Sequence, residues 1–211
     1  MVSIIIPVFN QAEYLPFAIT TALRQKDCEV IVINDGSTDN SLDVAKKYPV
    51  KVINQVNKGL ASARNTGIMN AKGDRILPLD ADDMLLDGCV EELIKIDADV
   101  VAPSFKCFGK IDNDVVLMPN PTIEDFKTGN RIGYCSLIKK DVLLEVGGYS
   151  PRMDKGWEDY HLWFNLLTLN KKIVTTPKIL WMYRTKEKSM WTDSVQYSDI
   201  LWAQIHKDFK L

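Results

Sequence analysis

An α/β fold, with a mostly parallel central sheet flanked by helices and a smaller region after it, is what this 211-residue chain predicts. Three observations carry the prediction. The runs Val2–Val8 and Val30–Ile33 are β-branched and nearly continuous, as strands covered on both faces require. Stretches of helical spacing alternate with such runs through the first hundred residues, which implies parallel strands joined by crossovers. Polar, mostly acidic residues (Asn10, Asp35, Asp80, Asp82 and Asp83) stand where strands end, and ligands bind such sheets outside the strands' carboxyl ends.

Taken in order, Val2–Val8 is the first strand, and Leu15, Ala18, Ile19, Ala22 and Leu23 follow helical spacing. Pro16 is tolerable there only in the first turn. Val30–Ile33 is a second strand, broken by Asn34-Asp35-Gly36-Ser37-Thr38-Asp39. A short helix from Ser41 to Tyr48 leads to a strand at Val50–Ile53. Gly59 to Ala71 reads as a helix with a small-residue face through Ala63, Gly67 and Ala71. A strand through Arg75–Leu79, a helix from Asp87 to Ile96 and a strand at Asp99–Ala102 complete the alternation. Beyond Pro103 the pattern changes to short strand-like pieces, Lys106–Gly109 and Val115–Met118, around a Pro119-Asn120-Pro121 break. A small helix at Thr122–Lys127, a Gly147-Gly148 turn, a strong helix at Glu158–Asn170, a strand at Ile179–Tyr183 and an amphipathic helix at Asp193–Lys210 follow.

Composition narrows the function. A net charge of −2 leaves no basic excess for nucleic acid. Cys28, Cys89, Cys107 and Cys135 are far apart, and with two histidines they argue against zinc and for reduced thiols in a cytoplasmic protein. No window reaches the length of a membrane span, and the apolar N-terminus is too short for a signal peptide, so a soluble chain is expected. The pairs Lys139-Lys140 and Lys171-Lys172 read as solvated surface, or as a basic face toward anionic lipid headgroups at the cytoplasmic membrane. There is no Gly-x-Gly-x-x-Gly after the first strand and no phosphate-loop lysine, which argues against Rossmann dinucleotide binding and P-loop NTPase chemistry.

Leu77-Pro78-Leu79-Asp80-Ala81-Asp82-Asp83 sets three carboxylates at the end of an apolar strand. If the extended geometry continues, Asp80 and Asp82 share a face, where Mg²⁺ or Mn²⁺ on a substrate's phosphates relieves their repulsion. An acidic turn capping the next helix is the competing reading. Asp35 suits either a base or ribose contact or the turn that Asn-Asp-Gly signals. Lys58 and Arg64 near the start of the Gly59 helix suit a phosphate or solvent. Glu158 and Asp159 suit a general base or the first turn of a helix. Among the aromatics, Trp157 and Trp191 lie beside polar loops and are the acceptor-stacking candidates, while the others read as core. Asp112-Asn113-Asp114 reads as a hairpin turn.

Together Ser3–Asn10, Val32–Asp39, Asn57–Gly67, Leu79–Asp83, Gly147-Gly148-Tyr149 and Glu158-Asp159 occur in the order of glycosyltransferase family 2, which the chain resembles from Val2 to Ser189. The resemblance implies a GT-A, Rossmann-like fold and inverting transfer from a nucleotide sugar, with a UDP-sugar favoured, to a carbohydrate or lipid-linked acceptor. It implies a nucleotide pocket lined by Pro7, Phe9, Asn10, Asp35, Lys58, Arg64 and Asp80, and a divalent cation, Mn²⁺ or Mg²⁺, on Asp82 with Asp80 in its shell. Asp159 corresponds to the base, with Glu158 the other candidate, and the two sides are expected to share one cleft. Residues 1–103 would form the nucleotide-sugar half, and 104–211 an acceptor and base half on the same sheet.

The chain departs from the family where Tyr183-Arg184-Thr185-Lys186 replaces a Tyr-Arg-x-His pattern, which makes Arg184 and Lys186 candidate diphosphate contacts. His161 also follows the Glu-Asp-aromatic run, where many relatives carry an acid. These two departures support an alternative, a catalytically impaired nucleotide-sugar-binding or scaffold protein.

Overall fold

The computed structural model describes residues 1–187 and 193–209. A single sheet of nine strands passes through both halves of the chain. Its strands are β1 (Val2–Val8), β2 (Cys28–Asp35), β3 (Lys51–Gln55), β4 (Arg75–Pro78), β5 (Met84–Leu85), β6 (Val100–Gly109), β7 (Asn113–Val115), β8 (Leu137–Lys139) and β9 (Ile173–Thr185). The order is β3-β2-β1-β4-β8-β6-β9-β5, with β7 paired to β6. Parallel pairing joins β1 to β2 and β4, β2 to β3, and β6 to β9, and it carries most of the ladder. The antiparallel β8 lies between the two parallel blocks.

Eight helices cover the faces: α1 (Leu15–Leu23), α2 (Ser41–Ala45), α3 (Leu60–Asn70), α4 (Cys89–Leu93), α5 (Ile123–Phe126), α6 (Lys140–Glu145), α7 (Glu158–Thr168) and α8 (Ser198–Phe209). Pro16 falls in the first turn of α1, where its missing N–H costs nothing. Alternate residues of β1 point to opposite faces and into two cores. Ile4 and Ile6 meet α1 with Leu15 and Ile19, while Ile5 meets Ala63 and Ile68 of α3 and, further along, Trp163 and Phe164 of α7.

The small-residue face of α3 is a close contact. A Cβ at Gly67 would lie 2.3 Å from Cγ2 of Ile5, a β-branched side chain held within the sheet. We expect Gly67→Ala to lower stability by about 1–2 kcal/mol, because overpacking exceeds the gain in helix propensity. A urea unfolding midpoint at or above that of the parent would contradict this.

Several elements differ from the sequence expectation. The pieces expected at Asp99–Ala102 and Lys106–Gly109 are one strand, β6, which continues through Pro103. Proline lacks a ladder donor, and the register with β9 shifts there, at Pro103/Ser104 and Ser104/Phe105. The strand expected at Ile179–Tyr183 is thirteen residues long. The helix expected at Asp87–Ile96 is only Cys89–Leu93 and opens after Gly88 in a left-handed conformation. The helix expected from Ser41 to Tyr48 ends at Ala45. The last helix begins at Ser198, after a 3₁₀ turn at Val195–Tyr197, and Lys210 lies outside the described residues. β5, β8 and α6 had no counterpart in the sequence reading. Antiparallel pairing of Phe105 with Val115 agrees with a hairpin turn at Asp112–Asp114.

The lysine pairs are engaged rather than displayed. Lys139 pairs with Asp99 at 3.0 Å, Lys171 with Glu145 at 2.6 Å, and Lys140 and Lys172 donate to the carbonyls of Ala71 and Asp97. They do not form a free basic face. Among the described residues no helix is long and apolar enough to cross a membrane.

Candidate active site

The carboxyl ends of β1, β2 and β4 open onto a cavity of about 440 Å³, within the range of small-ligand pockets. Pro7, Phe9, Asp35, Asp80 and Asp82 line it, as the sequence indicated, and Arg184 and Lys186 reach it from the end of β9. The second half of the chain therefore contributes cations to the pocket built by the first half. Asp35 is only 3% exposed. Its Oδ1 accepts from Gln55 Nε2 (2.7 Å) and the Lys58 amide (2.9 Å), and its Oδ2 accepts from the Gly59 amide (2.9 Å). One lone pair of Oδ2 is left for a ligand donor among the described contacts.

Two residues expected on this pocket stand apart from it. Asn10 has a left-handed backbone (φ 52°), and its Oδ1 accepts from the Thr38 and Asp39 amides, tying the loop after β1 to the loop after β2. Lys58 is exposed and contributes its backbone amide to Asp35, while Gly59 and Leu60 form the pocket wall.

The acidic run does not continue the strand. β4 ends at Pro78, and the Asp83 amide donates to the Asp80 carbonyl (3.1 Å), closing a turn. The three carboxylates consequently have three environments. Asp80 pairs with Arg64 at 2.8 Å and Asp82 with Lys186 at 2.6 Å. Asp83 is buried, accepting from the Tyr134 hydroxyl (2.5 Å) and the Arg184 amide (2.7 Å). Burial, reinforced by the charges of Asp82 and Asp80, raises the Asp83 pKa well above the usual carboxylate range.

Arg64 is the largest departure from expectation. Its side chain is 1% exposed, lies between the Tyr134 and Tyr149 rings, and bridges Asp80 to Glu158. The guanidinium is committed to two acids, so it is not a free phosphate contact. Glu158, committed in turn to Arg64, is a poor candidate for the base.

A second cavity, of about 340 Å³, adjoins the first and shares Leu60, Asp80 and Tyr183 with it. Asp159 lines this second cavity, so Asp82 and Asp159 lie on two sides of one continuous cleft. Asp159 opens α7, and Trp157 before it holds a left-handed conformation (φ 63°) that turns the chain into the helix. Asn130 Nδ2 donates to Asp159 Oδ2 at 3.0 Å, and the Tyr160 amide donates to Oδ1 at 2.7 Å. Burial first, then the charge of Glu158, pushes the Asp159 pKa up to about 7, against the opposing pull of Arg64. This is the range in which a carboxylate serves as a general base.

Trp157 lines the same cavity, edge-on to Trp202 at 5.8 Å, and Trp191 lies outside the described residues. His161 points away from the cleft and pairs with Asp208 of α8 (3.0 Å). The sequence reading did not single out Asn130, Tyr134 or Trp202. Tyr134 serves two of the acids, accepting from the Asp80 amide (3.0 Å) while donating to Asp83.

This α/β sheet, with an acid-rimmed pocket at its strand ends and a carboxylate facing it from a second pocket, has the arrangement of a GT-A sugar transferase. The model of "Glycosyl transferase family 2" matches residues 3–147, and the chain belongs to that family. It is 27% identical to the glycosyltransferase GlyG of Streptococcus pneumoniae, over 97% of this chain and 76% of that protein. It is 31% identical to an uncharacterized glycosyltransferase of Rickettsia typhi, over 81% of this chain and 59% of that protein. Among solved structures, S. aureus TarS 1-349 in complex with UDP-GlcNAc superposes with a TM-score of 0.76 at 20% identity, covering 90% of this chain and 60% of that one. The mannosyltransferase PcManGT from Pyrobaculum calidifontis, in complex with GDP-Man and Mn²⁺, gives 0.70 at 18% identity, over 93% and 60%. The chain thus spans about three fifths of these solved structures.

Proposed function

We propose that this chain carries the donor and acceptor sites of an inverting glycosyltransferase that moves a sugar from a UDP-sugar to a hydroxyl of a glycan or lipid-linked carbohydrate. The observation that carries the reading is the continuous cleft, with Asp82 on one side, Asp159 on the other and Asp80 on the wall between them. In this reading residues 1–103 supply most of the nucleotide pocket, and residues 104–211 supply the base and the acceptor wall. TarS, as a UDP-GlcNAc complex, supports a uridine donor, for which the free lone pair of Asp35 is a suitable acceptor. The four free cysteines suit a reducing compartment, and we place the reaction in the cytoplasm.

In the reaction Asp159 takes the proton of the acceptor hydroxyl, and that oxygen's lone pair forms the bond to the anomeric carbon. The bond from that carbon to the diphosphate oxygen breaks with its electron pair leaving on the diphosphate, so an α-linked donor gives a β-product. Arg184 supports the leaving group's charge. Its guanidinium is stacked on Tyr14 and Phe108, and its Nε donates to the Asp82 carbonyl (2.9 Å), so it is already in place.

A divalent cation fits this donor set in a limited way. Asp82 offers a hard oxygen at the pocket, as Mg²⁺ or Mn²⁺ requires, but one of its oxygens already faces Lys186 and Asp80 faces Arg64. Asp82 and the diphosphate oxygens would hold the ion, which when bound neutralises charge on the leaving group. An impaired binding protein is the weaker reading, because Asp159 is held by Asn130 and free of any cation partner among the described residues.

Calorimetry with UDP, with and without Mn²⁺, and the anomeric configuration of the transfer product by NMR test the proposal. Binding of UDP and an inverted product are expected. No UDP binding under either condition, or a product with retained configuration, would overturn it.

A further inference from the structure

We propose that Lys186 is a resident cation of the donor pocket, whose ammonium grips the nucleotide's diphosphate directly, so that UDP binds without a divalent ion. The inference rests on the UDP-sugar reading above and deepens it. Lys186 directly follows β9, and its ammonium lies 2.6 Å from Asp82 Oδ2, 3.2 Å from Gln11 Oε1 and 4.4 Å from the centre of the Tyr14 ring. Acid, amide and aromatic face together fix the charge in position. An ammonium has three protons, and these contacts take two of them. Among the described residues the third has no acceptor, and Lys186 lines the cavity with Pro7, Phe9, Asp82 and Arg184.

The electrostatics of the turn point the same way. Two acids at a strand end call for a positive charge nearby, and here the chain supplies one to each, Arg64 to Asp80 and Lys186 to Asp82. A metal ion bound to Asp82 at about 2.0–2.2 Å would share that carboxylate with an ammonium already in contact with it, and the two cations repel. Among the described residues no group of three or more His, Cys, Asp or Glu side chains gathers to hold a metal ion. A diphosphate is a better partner for the lysine. One of its oxygens can accept the third proton while Asp82 keeps the first, leaving Asp82 to position the lysine. A divalent ion then adds to the affinity and does not create the site.

Calorimetry with UDP on the parent chain, in chelator and then with Mn²⁺, tests this without any variant. Binding in chelator within about tenfold of the Mn²⁺ affinity is expected. Lys186→Met should weaken the chelator measurement by about tenfold or more, the effect of losing a charge-assisted phosphate contact, and Mn²⁺ should restore part of it through the released Asp82. Lys186→Arg should keep metal-free binding. UDP binding by the parent chain only in Mn²⁺ would overturn the role of Lys186 and leave the donor assignment standing. So would a folded Lys186→Met chain, judged by an unchanged melting temperature, that binds UDP in chelator as well as the parent does. No binding under either condition would remove the donor assignment itself, and this inference with it.

Discussion

Asp159→Asn is expected to lower transfer by about 10²–10⁴-fold while leaving the affinity for UDP unchanged, since a positioned general base contributes on that order. The amide keeps the shape of the side chain and a partner for Asn130, but it cannot take the acceptor's proton. The pH profile follows from the same environment. Burial and the neighbouring Glu158 charge raise the proton affinity of Asp159 to about 7, and the base works only when ionised. Turnover by the parent chain should therefore climb as pH rises toward 7 and level off above it, with the inflection absent from the residual rate of the variant. The sign for stability is opposite. A carboxyl whose pKa is higher folded than unfolded favours the folded state at low pH, and that contribution is lost as pH climbs from about 4 through 7. Unchanged turnover in Asp159→Asn would remove this residue as the base.

Arg64→Met is expected to lower unfolding stability by about 3–5 kcal/mol, because it strips the cation from two acids and leaves them uncompensated. Glu158 is 6% exposed and has little water to fall back on. The double variant Arg64→Met, Glu158→Gln should recover a large part of the loss, since the charge most in need of the arginine is then gone. Lysine is not an adequate replacement: one ammonium cannot present the planar fork that reaches Asp80 and Glu158 at once. Urea unfolding of the three variants measures this. A loss below about 1 kcal/mol for Arg64→Met would show that the bridge matters little to stability.

Which features were legible in the sequence follows from their range. β1, α1 and α3 are written in local apolar spacing and appear almost where that spacing puts them. Pro7, Asp35, Asp80 and Asp82 were legible for the same reason, since a strand end fixes its residues at the sheet rim whatever the rest of the chain does. Arg64 was not. A basic residue in the first turns of a helix looks like a phosphate contact until α7, ninety-four positions later in sequence, brings Glu158 against it. Asn130 and Tyr134 lie in a segment with no periodic pattern, and only folding brings them to Asp159 and Asp83. β8 is three residues long, too short for alternation to register, and it is defined by the two strands it separates. The turn at Asp80–Asp83 was lost for a different reason. Extrapolating β4 beyond Pro78 gave Asp80 and Asp82 a common direction, but a hydrogen bond across four residues ends the strand and sends each acid to its own cation.

The guanidinium shared by Asp80 and Glu158 joins the two chambers electrically as well as mechanically. Its single positive charge is divided between them, so an anion arriving beside Asp80 changes the share that Glu158, and Asp159 next to it, receives. The readiness of Asp159 to hold a proton is thereby linked to whether a nucleotide is present. By reciprocity, a proton on that carboxyl alters how tightly the nucleotide is held.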